Sequence, residues 1–204
     1  MTRLAVIDHG AGNLVSMEQA LRRVGAEPVR ITEATDFSGY DGIVLPGVGA
    51  TAPAMRTLHR TGLATALQAW DGPLLGVCVG MQLLFDLSDE DGARCLGLIS
   101  GTVRKIDATP LPHMGWNDVH HDGRAVLDGI PDGEPFYFVH SFAPEPADPS
   151  VVVGRTTYGD DSFATVVTDG RVTGAQFHPE RSGDAGLAVL ATFAHLCRRM
   201  SDAA

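Results

Sequence analysis

The residues of this chain best suited to chemistry fall in two short segments far apart in sequence. The first is Gly76-Val77-Cys78-Val79-Gly80. It closes an apolar run, Pro73-Leu74-Leu75-Gly76-Val77, that reads as a buried strand, and it opens a second one, Met81 to Leu87, that reads as a helix packed on the same sheet. The pattern is that of the strand-to-helix nucleophile turn G-x-S-x-G with sulfur in place of oxygen. Such a turn brings backbone close to backbone on both sides of the nucleophile, where a Cβ would clash, and the helix N-terminus behind it favours thiolate over thiol. Cys78 is therefore expected to be exposed and activated. A free cysteine at the end of an apolar strand is as readily a plain core residue, and five residues do not decide between the two.

The second segment, Gln176-Phe177-His178-Pro179-Glu180, supplies a base. In extended chain, residues i and i+2 project to one side, and Pro179 biases His178 away from helix, so His178 and Glu180 can act together. A carboxylate beside an imidazole fixes its tautomer and stabilises the imidazolium formed when a thiol gives up its proton. Taken singly, His178 could be satisfied by a backbone carbonyl, and Glu180 could be a solvated acid at a helix entry. With the cysteine turn, the three read as nucleophile, base and orienting acid. A third segment, Pro46-Gly47-Val48-Gly49, follows the strand-like Ile43 to Leu45. Backbone N–H groups at Val48 and Gly49, with that of Val79, are candidates for an oxyanion hole, although the segment alone could be an ordinary turn.

The elements that would position these groups alternate in type. Short β-rich runs at Leu4 to Ile7, Pro28 to Ile31 and Ile43 to Leu45 are separated by helical patterns at Leu14 to Val24 and through Met55 and Leu58. That rhythm predicts an α/β fold with a mostly parallel sheet flanked by helices. From Leu98 onward, β-type segments at 102–106, 136–139, 151–157, 163–168 and 172–177 predict additional antiparallel strands, which either extend the sheet or form a second one. A last helix, Ala185 to Met200, carries Leu187, Leu190, Ala194 and Cys197 on one stripe.

The chain of 204 residues, 44% hydrophobic with Gly and Pro spread throughout, is expected to form a single domain, 1–204. Its formal charge of −10, with no basic stripe, excludes a nucleic-acid partner. No apolar stretch is long enough to span a membrane, and three cysteines without C-x-x-C spacing point away from disulfides and zinc, toward a reducing, cytoplasmic home. His120 and His121 are adjacent, not at metal-ligand spacing, and read as a solvated turn pair, so neither a metal nor a cofactor is expected.

Together these residues resemble the class I glutamine amidotransferases, with G-x-C-x-G-x-Q matched by Gly76, Cys78, Gly80 and Gln82, and H-P-E by His178, Pro179 and Glu180. Four further segments are similar to the glutaminase subunits of imidazole glycerol phosphate synthase: Asp8-His9-Gly10-Ala11-Gly12-Asn13-Leu14, Pro46-Gly47-Val48-Gly49, Pro112-His113-Met114-Gly115-Trp116-Asn117 and Tyr137-Phe138-Val139-His140-Ser141-Phe142. The similarity covers essentially the whole chain.

The resemblance implies that Cys78 attacks the glutamine side-chain amide, that a γ-glutamyl thioester forms, and that ammonia passes inside a heterodimer to a (β/α)₈-barrel cyclase subunit. It implies that Gly49, Gln82 and the Ser141-Phe142 backbone hold the amino-acid end of glutamine. Asn13, Met114, Trp116, Tyr137 and Arg181 are the interface candidates, with core packing the alternative for Met114 and Tyr137. The family usually places tyrosine where His9 stands, leucine at Val79 and lysine at Arg181. An arginine keeps the charge but adds a planar fork, which leaves room for an altered partner fit or a related synthase. An inactive binding paralogue is disfavoured by the intact Cys78, His178 and Glu180, and a standalone hydrolase by Gln82 and the 112–117 segment.

Overall fold

A computed structural model of the chain describes residues 1–34 and 36–201. Thirteen strands occur among these residues: β1 Thr2–Ile7, β2 Ala26–Ile31, β3 Gly42–Gly47, β4 Leu74–Cys78, β5 Leu87–Ser88, β6 Ala93–Arg94, β7 Gly101–Lys105, β8 His113–His121, β9 Glu134–His140, β10 Phe142–Pro146, β11 Val152–Tyr158, β12 Asp161–Asp169 and β13 Val172–Ala175. The helices are α1 Leu14–Arg23, α2 Thr51–Arg60, α3 Leu63–Ala69, α4 Val79–Gln82 and α5 Gly183–Ser201. A nine-stranded sheet runs β2-β1-β3-β4-β13-β12-β11-β8-β9. Its first five strands are parallel, and the remaining pairings are antiparallel. A four-stranded sheet, β10-β7-β5-β6, stands apart. The second half of the chain thus both extends the parallel sheet and adds a smaller one.

The central parallel strands β1, β3 and β4 are buried on both faces, as their unbroken apolar runs require: Leu4 to Ile7, Ile43 to Leu45, and Leu74 and Leu75 have no solvent exposure. Met17, Ala20 and Leu21 form the inward stripe of α1, and Ala54, Met55 and Leu58 that of α2. On α5 the inward stripe is Val189, Leu190, Phe193, Ala194 and Cys197, with Leu187 partly buried.

Two expectations are corrected, and a strand concealed by its prolines is added. The helix expected over Met81 to Leu87 ends at Gln82, because the carbonyls that would continue it are taken from outside. Leu83, Leu84 and Phe85 accept from the N–H groups of Leu96, Leu98 and Gly97 at 2.8–2.9 Å, so the chain there is pinned by residues 96–99 rather than coiled on itself. Strand β10 holds Pro144 and Pro146, which disguise it in sequence; it is tolerated because it lies at a sheet edge. His120 and His121 end β8 rather than forming a turn, His121 pairing with Gly154 of β11.

The register decides where chemistry can happen. Gly47 stands opposite Cys78, and Ala175 opposite Val77, so the loops leaving β3, β4 and β13 emerge side by side at the carboxyl edge of the sheet. The antiparallel half curls back onto the same edge. Phe136 of β9 stacks on Phe177 at a centroid distance of 4.0 Å, and the N–H of His178 donates to the carbonyl of Tyr137 at 2.9 Å.

Candidate active site

Cys78 adopts φ 54°, ψ −112°, a conformation that costs a non-glycine residue about 1–3 kcal/mol and recurs where a side chain must be held at a sharp turn. Its neighbours show why glycine flanks it. A Cβ on Gly76 would lie 2.6 Å from the Gly80 carbonyl oxygen, and a Cβ on Gly80 would overlap the backbone carbonyl of Leu45 on the adjacent strand. The expected exposure of the thiol is not found. Cys78 is 2% exposed, since Val139 of β9 and Gln176 close over it, with Sγ 3.9 Å from the Val139 carbonyl and 3.7 Å from Gln176 Nε2. It opens instead into a cavity of about 250 Å³.

His178 and Glu180 come together as the extended spacing requires. Nδ1 lies 3.0 Å from Glu180 Oε1, and both side chains are buried. The other ring nitrogen and Glu180 Oε2 are buried with no hydrogen-bond partner among the described residues. Burial alone would push the imidazole toward its neutral form. The nearby Cys78 sulfur and the Glu180 carboxylate bonded to Nδ1 outweigh that and raise His178 from 6.5 to about 10. The site therefore favours imidazolium, the form that stabilises a thiolate and can deliver a proton. Ser182 steadies the loop, its Oγ donating to the His178 carbonyl at 2.7 Å and accepting from the Tyr137 N–H at 3.0 Å.

The cavity wall contains Val48, Gly49, Val79, Gln82, Ser141 and Phe142, all expected there from the sequence, together with Glu90, Pro112, Val139 and His140, for which the sequence suggests no such place. Gly49 has φ +88°, so the loop turns there at little cost. Gln82 Nε2 donates to the Phe142 carbonyl at 2.9 Å and to Gln176 Oε1 at 3.3 Å. His9 is buried beneath the same loop, its Nε2 2.8 Å from the Pro46 carbonyl. Burial there lowers its pKa, so it serves as a neutral donor.

Two polar neighbours escape a reading of the sequence. Gln176 precedes His178 by two residues, and the same alternation that pairs His178 with Glu180 could have flagged it. Glu90 carries no signal, being placed by the turn after β5. It is the one charged side chain in the cavity wall among the described residues, and burial raises its pKa.

The interface candidates gather beside the site. Met114 and Trp116 are 64% and 58% exposed on β8, so core packing does not apply to Met114. Trp116 pairs across the ladder with Tyr137, ring to ring at 6.2 Å, and the Arg181 guanidinium lies 4.1 Å from the centre of the half-buried Tyr137 ring. Asn13 Nδ2 reaches Glu180 Oε1 at 3.5 Å. Among the described residues no group of three or more His, Cys, Asp or Glu could hold a metal ion, and no helix is long and apolar enough to cross a membrane.

A parallel sheet with a cysteine raised on a strand-to-helix turn, facing a buried His-Glu pair from a neighbouring strand, defines a cysteine amidohydrolase class of site. The family described as glutamine amidotransferase class-I matches residues 5–196, and the chain belongs to it. It is 45% identical to the imidazole glycerol phosphate synthase subunit HisH of Herpetosiphon aurantiacus over 95% of this chain and 94% of that protein. It is 44% identical to the subunit of the same name from Moorella thermoacetica, over 100% and 99%. Among solved structures, a putative GMP synthase subunit from Thermoplasma acidophilum superposes with a TM-score of 0.79 at 18% identity, covering 100% of this chain and 97% of that one. PurLQS from Thermotoga maritima gives 0.72 at 21% identity, covering 95% and 98%. These last two establish the fold.

Proposed function

We propose that this chain is a glutaminase subunit that hydrolyses glutamine and passes the ammonia to a (β/α)₈-barrel cyclase subunit. The cyclase would use it to form imidazole glycerol phosphate and aminoimidazole carboxamide ribotide in histidine biosynthesis. The observation that carries the chemistry is the buried His178–Glu180 pair, with an imidazolium favoured by Cys78, beside a cavity that Cys78 lines.

The Cys78 thiolate adds to the side-chain amide carbonyl of glutamine, and the negative charge on oxygen meets the backbone N–H groups of the Val48-Gly49 loop and Val79. His178 gives its proton to the departing nitrogen, the C–N bond breaks, and ammonia leaves a γ-glutamyl thioester on Cys78. Water then loses a proton to His178 and attacks the thioester, the C–S bond breaks, and glutamate departs with the thiolate restored. Glu180 keeps its charge throughout and holds Nδ1. No cofactor is needed. Cys78 and Cys95 form no disulfide, which suits a reducing cytoplasm.

On this reading Glu90, the charged side chain in the cavity wall, pairs with the ammonium of the substrate's amino-acid end. Glu90→Gln should raise the KM for glutamine roughly tenfold with a smaller change in kcat, as expected for losing a charged partner in a recess. Steady-state kinetics over a glutamine series measures this, and an unchanged KM would remove Glu90 from recognition.

For the partner, the exposed Met114 and Trp116 beside Tyr137 and Arg181 provide an aromatic anchor with a cation. Trp116→Ala should weaken binding of the cyclase subunit by about 2 kcal/mol or more, roughly thirtyfold in Kd by calorimetric titration. The functional assignment as a whole is tested by glutamate release from glutamine by the chain alone, with the cyclase subunit, and with that subunit's nucleotide substrate. Strong activation in the full mixture is expected. Equal activity without the cyclase, or none in any mixture, would overturn the partner.

A further inference from the structure

A line of hydrogen bonds runs from strand β8 into the wall of the cavity, and both of its ends are backbone groups whose roles are fixed. The N–H of Asp118 donates to Asn117 Oδ1 at 2.9 Å, which orients the Asn117 amide. Its nitrogen then faces the Thr157 carbonyl at 3.0 Å and His113 Nε2 at 3.2 Å. One N–H serves each, so His113 Nε2 accepts and His113 Nδ1 carries the proton. His113 Nδ1 lies 3.2 Å from His140 Nε2, which must accept in turn. His140 Nδ1 therefore bears the hydrogen, and it donates to the Phe142 carbonyl at 2.9 Å. That carbonyl also receives Gln82 Nε2, whose second hydrogen goes to Gln176 Oε1, and Gln176 Nε2 lies 3.7 Å from Cys78 Sγ. With both Nε2 hydrogens of Gln82 committed inside the protein, its Oε1 is the atom left to accept from a ligand.

We propose that His140 is a positioning residue for glutamine recognition: held in its Nδ1–H tautomer by His113 and Asn117, it fixes the Phe142 carbonyl, and through it the Gln82 carboxamide, in the wall of the Cys78 cavity. The inference rests on glutamine being the substrate at Cys78. Both rings stay neutral, as the chain requires, because burial lowers them to about 4 for His113 and about 3 for His140. The groups packed on them agree with this. His113 meets Phe138 and His140 of β9, Tyr158 of β11 and Phe163 of β12, while His140 also feels the charge of His178. No carboxylate bonds to either ring.

The test uses the chain assembled with the cyclase subunit and that subunit's nucleotide ligand. His140→Leu should raise the KM for glutamine about tenfold with kcat within about threefold, and His140→Asn, whose amide nitrogen can stand where Nδ1 stood, should recover most of the loss. An unchanged KM in folded His140→Leu, or an Asn variant no better than the Leu one, would overturn the proposal. So would a fall in kcat at constant KM, which would place His140 in the chemistry itself.

A second variant avoids the cavity. Asn117→Asp keeps the shape but cannot donate, so the chain holds its direction only while His113 is an imidazolium. Its KM should rise with pH more steeply than that of the wild type, and parallel pH profiles would count against the proposal. Alkylation of Cys78 by a γ-diazoketone analogue of glutamine, read by mass, serves as the control. If the wild type is not labelled, glutamine recognition at Cys78 fails and this inference with it; if it is labelled while the variants match it in KM, the positioning role alone fails.

Discussion

Cys78→Ala is expected to reduce glutamine hydrolysis to background, a loss of at least about 10⁴-fold, while the affinity for the cyclase subunit stays at the wild-type value. The separation follows from geometry. Cys78 is closed in beneath Val139 and Gln176 and opens only into the cavity, whereas Met114, Trp116 and Arg181 lie on the outer surface. Losing one sulfur leaves that surface as it was. Cys78→Ser should be equally inactive, since a hydroxyl is a far weaker acid than a thiol and His178 is arranged as a proton donor to a thiolate. The same substitution should lower the titration point of His178 followed by NMR, because Cys78 is one of the two groups that outweigh burial in raising it. Turnover that persists in purified Cys78→Ala would overturn the mechanism.

The second large effect is structural. Gly80→Ala should cost about 3 kcal/mol or more, read as a fall in the denaturant midpoint, or prevent folding altogether. The new methyl would overlap the Leu45 carbonyl. That oxygen is backbone in a central strand with neighbours on both sides, so it cannot step aside as a side-chain tip would. Gly12→Ala supplies the comparison: its nearest neighbours are Leu14 side-chain carbons at 3.7 Å, an ordinary contact, and it should cost about 1 kcal/mol or less. Equal stability of the two variants would show that the turn can open, and the tight approach of α4 to β3 would lose its role in holding Cys78.

Much of this site can be read from local pattern because local pattern is what makes it. The turn at Cys78 needs glycine at 76 and 80 for steric reasons that hold in any chain of this topology, and the His178–Glu180 contact follows from two-residue alternation around a proline. The buried strands announce themselves as unbroken apolar runs. The His178–Glu180 contact and the apolar runs depend on residues near one another in sequence, and the glycine pattern marks the turn even though what Gly80 avoids, the Leu45 carbonyl, comes from the neighbouring strand.

What sequence left open depends on partners brought from far away. Leu83 to Phe85 read as helix, since nothing local reveals that residues 96–99 take their carbonyls. The burial of Cys78 could not be seen either, because its cover, Val139 and Gln176, comes from two different strands. Glu90 joins the cavity through a turn without any spacing signature. His113 and His140 stand directly opposite in a ladder whose register no single strand encodes. By itself, then, the sequence determined the class of chemistry and the parallel half of the sheet, both properties of short segments. Tertiary structure alone decided how the antiparallel half curls over the carboxyl edge, and with it the lining of the cavity and the direction of every hydrogen bond that reaches it, because those contacts join residues that only folding brings within reach.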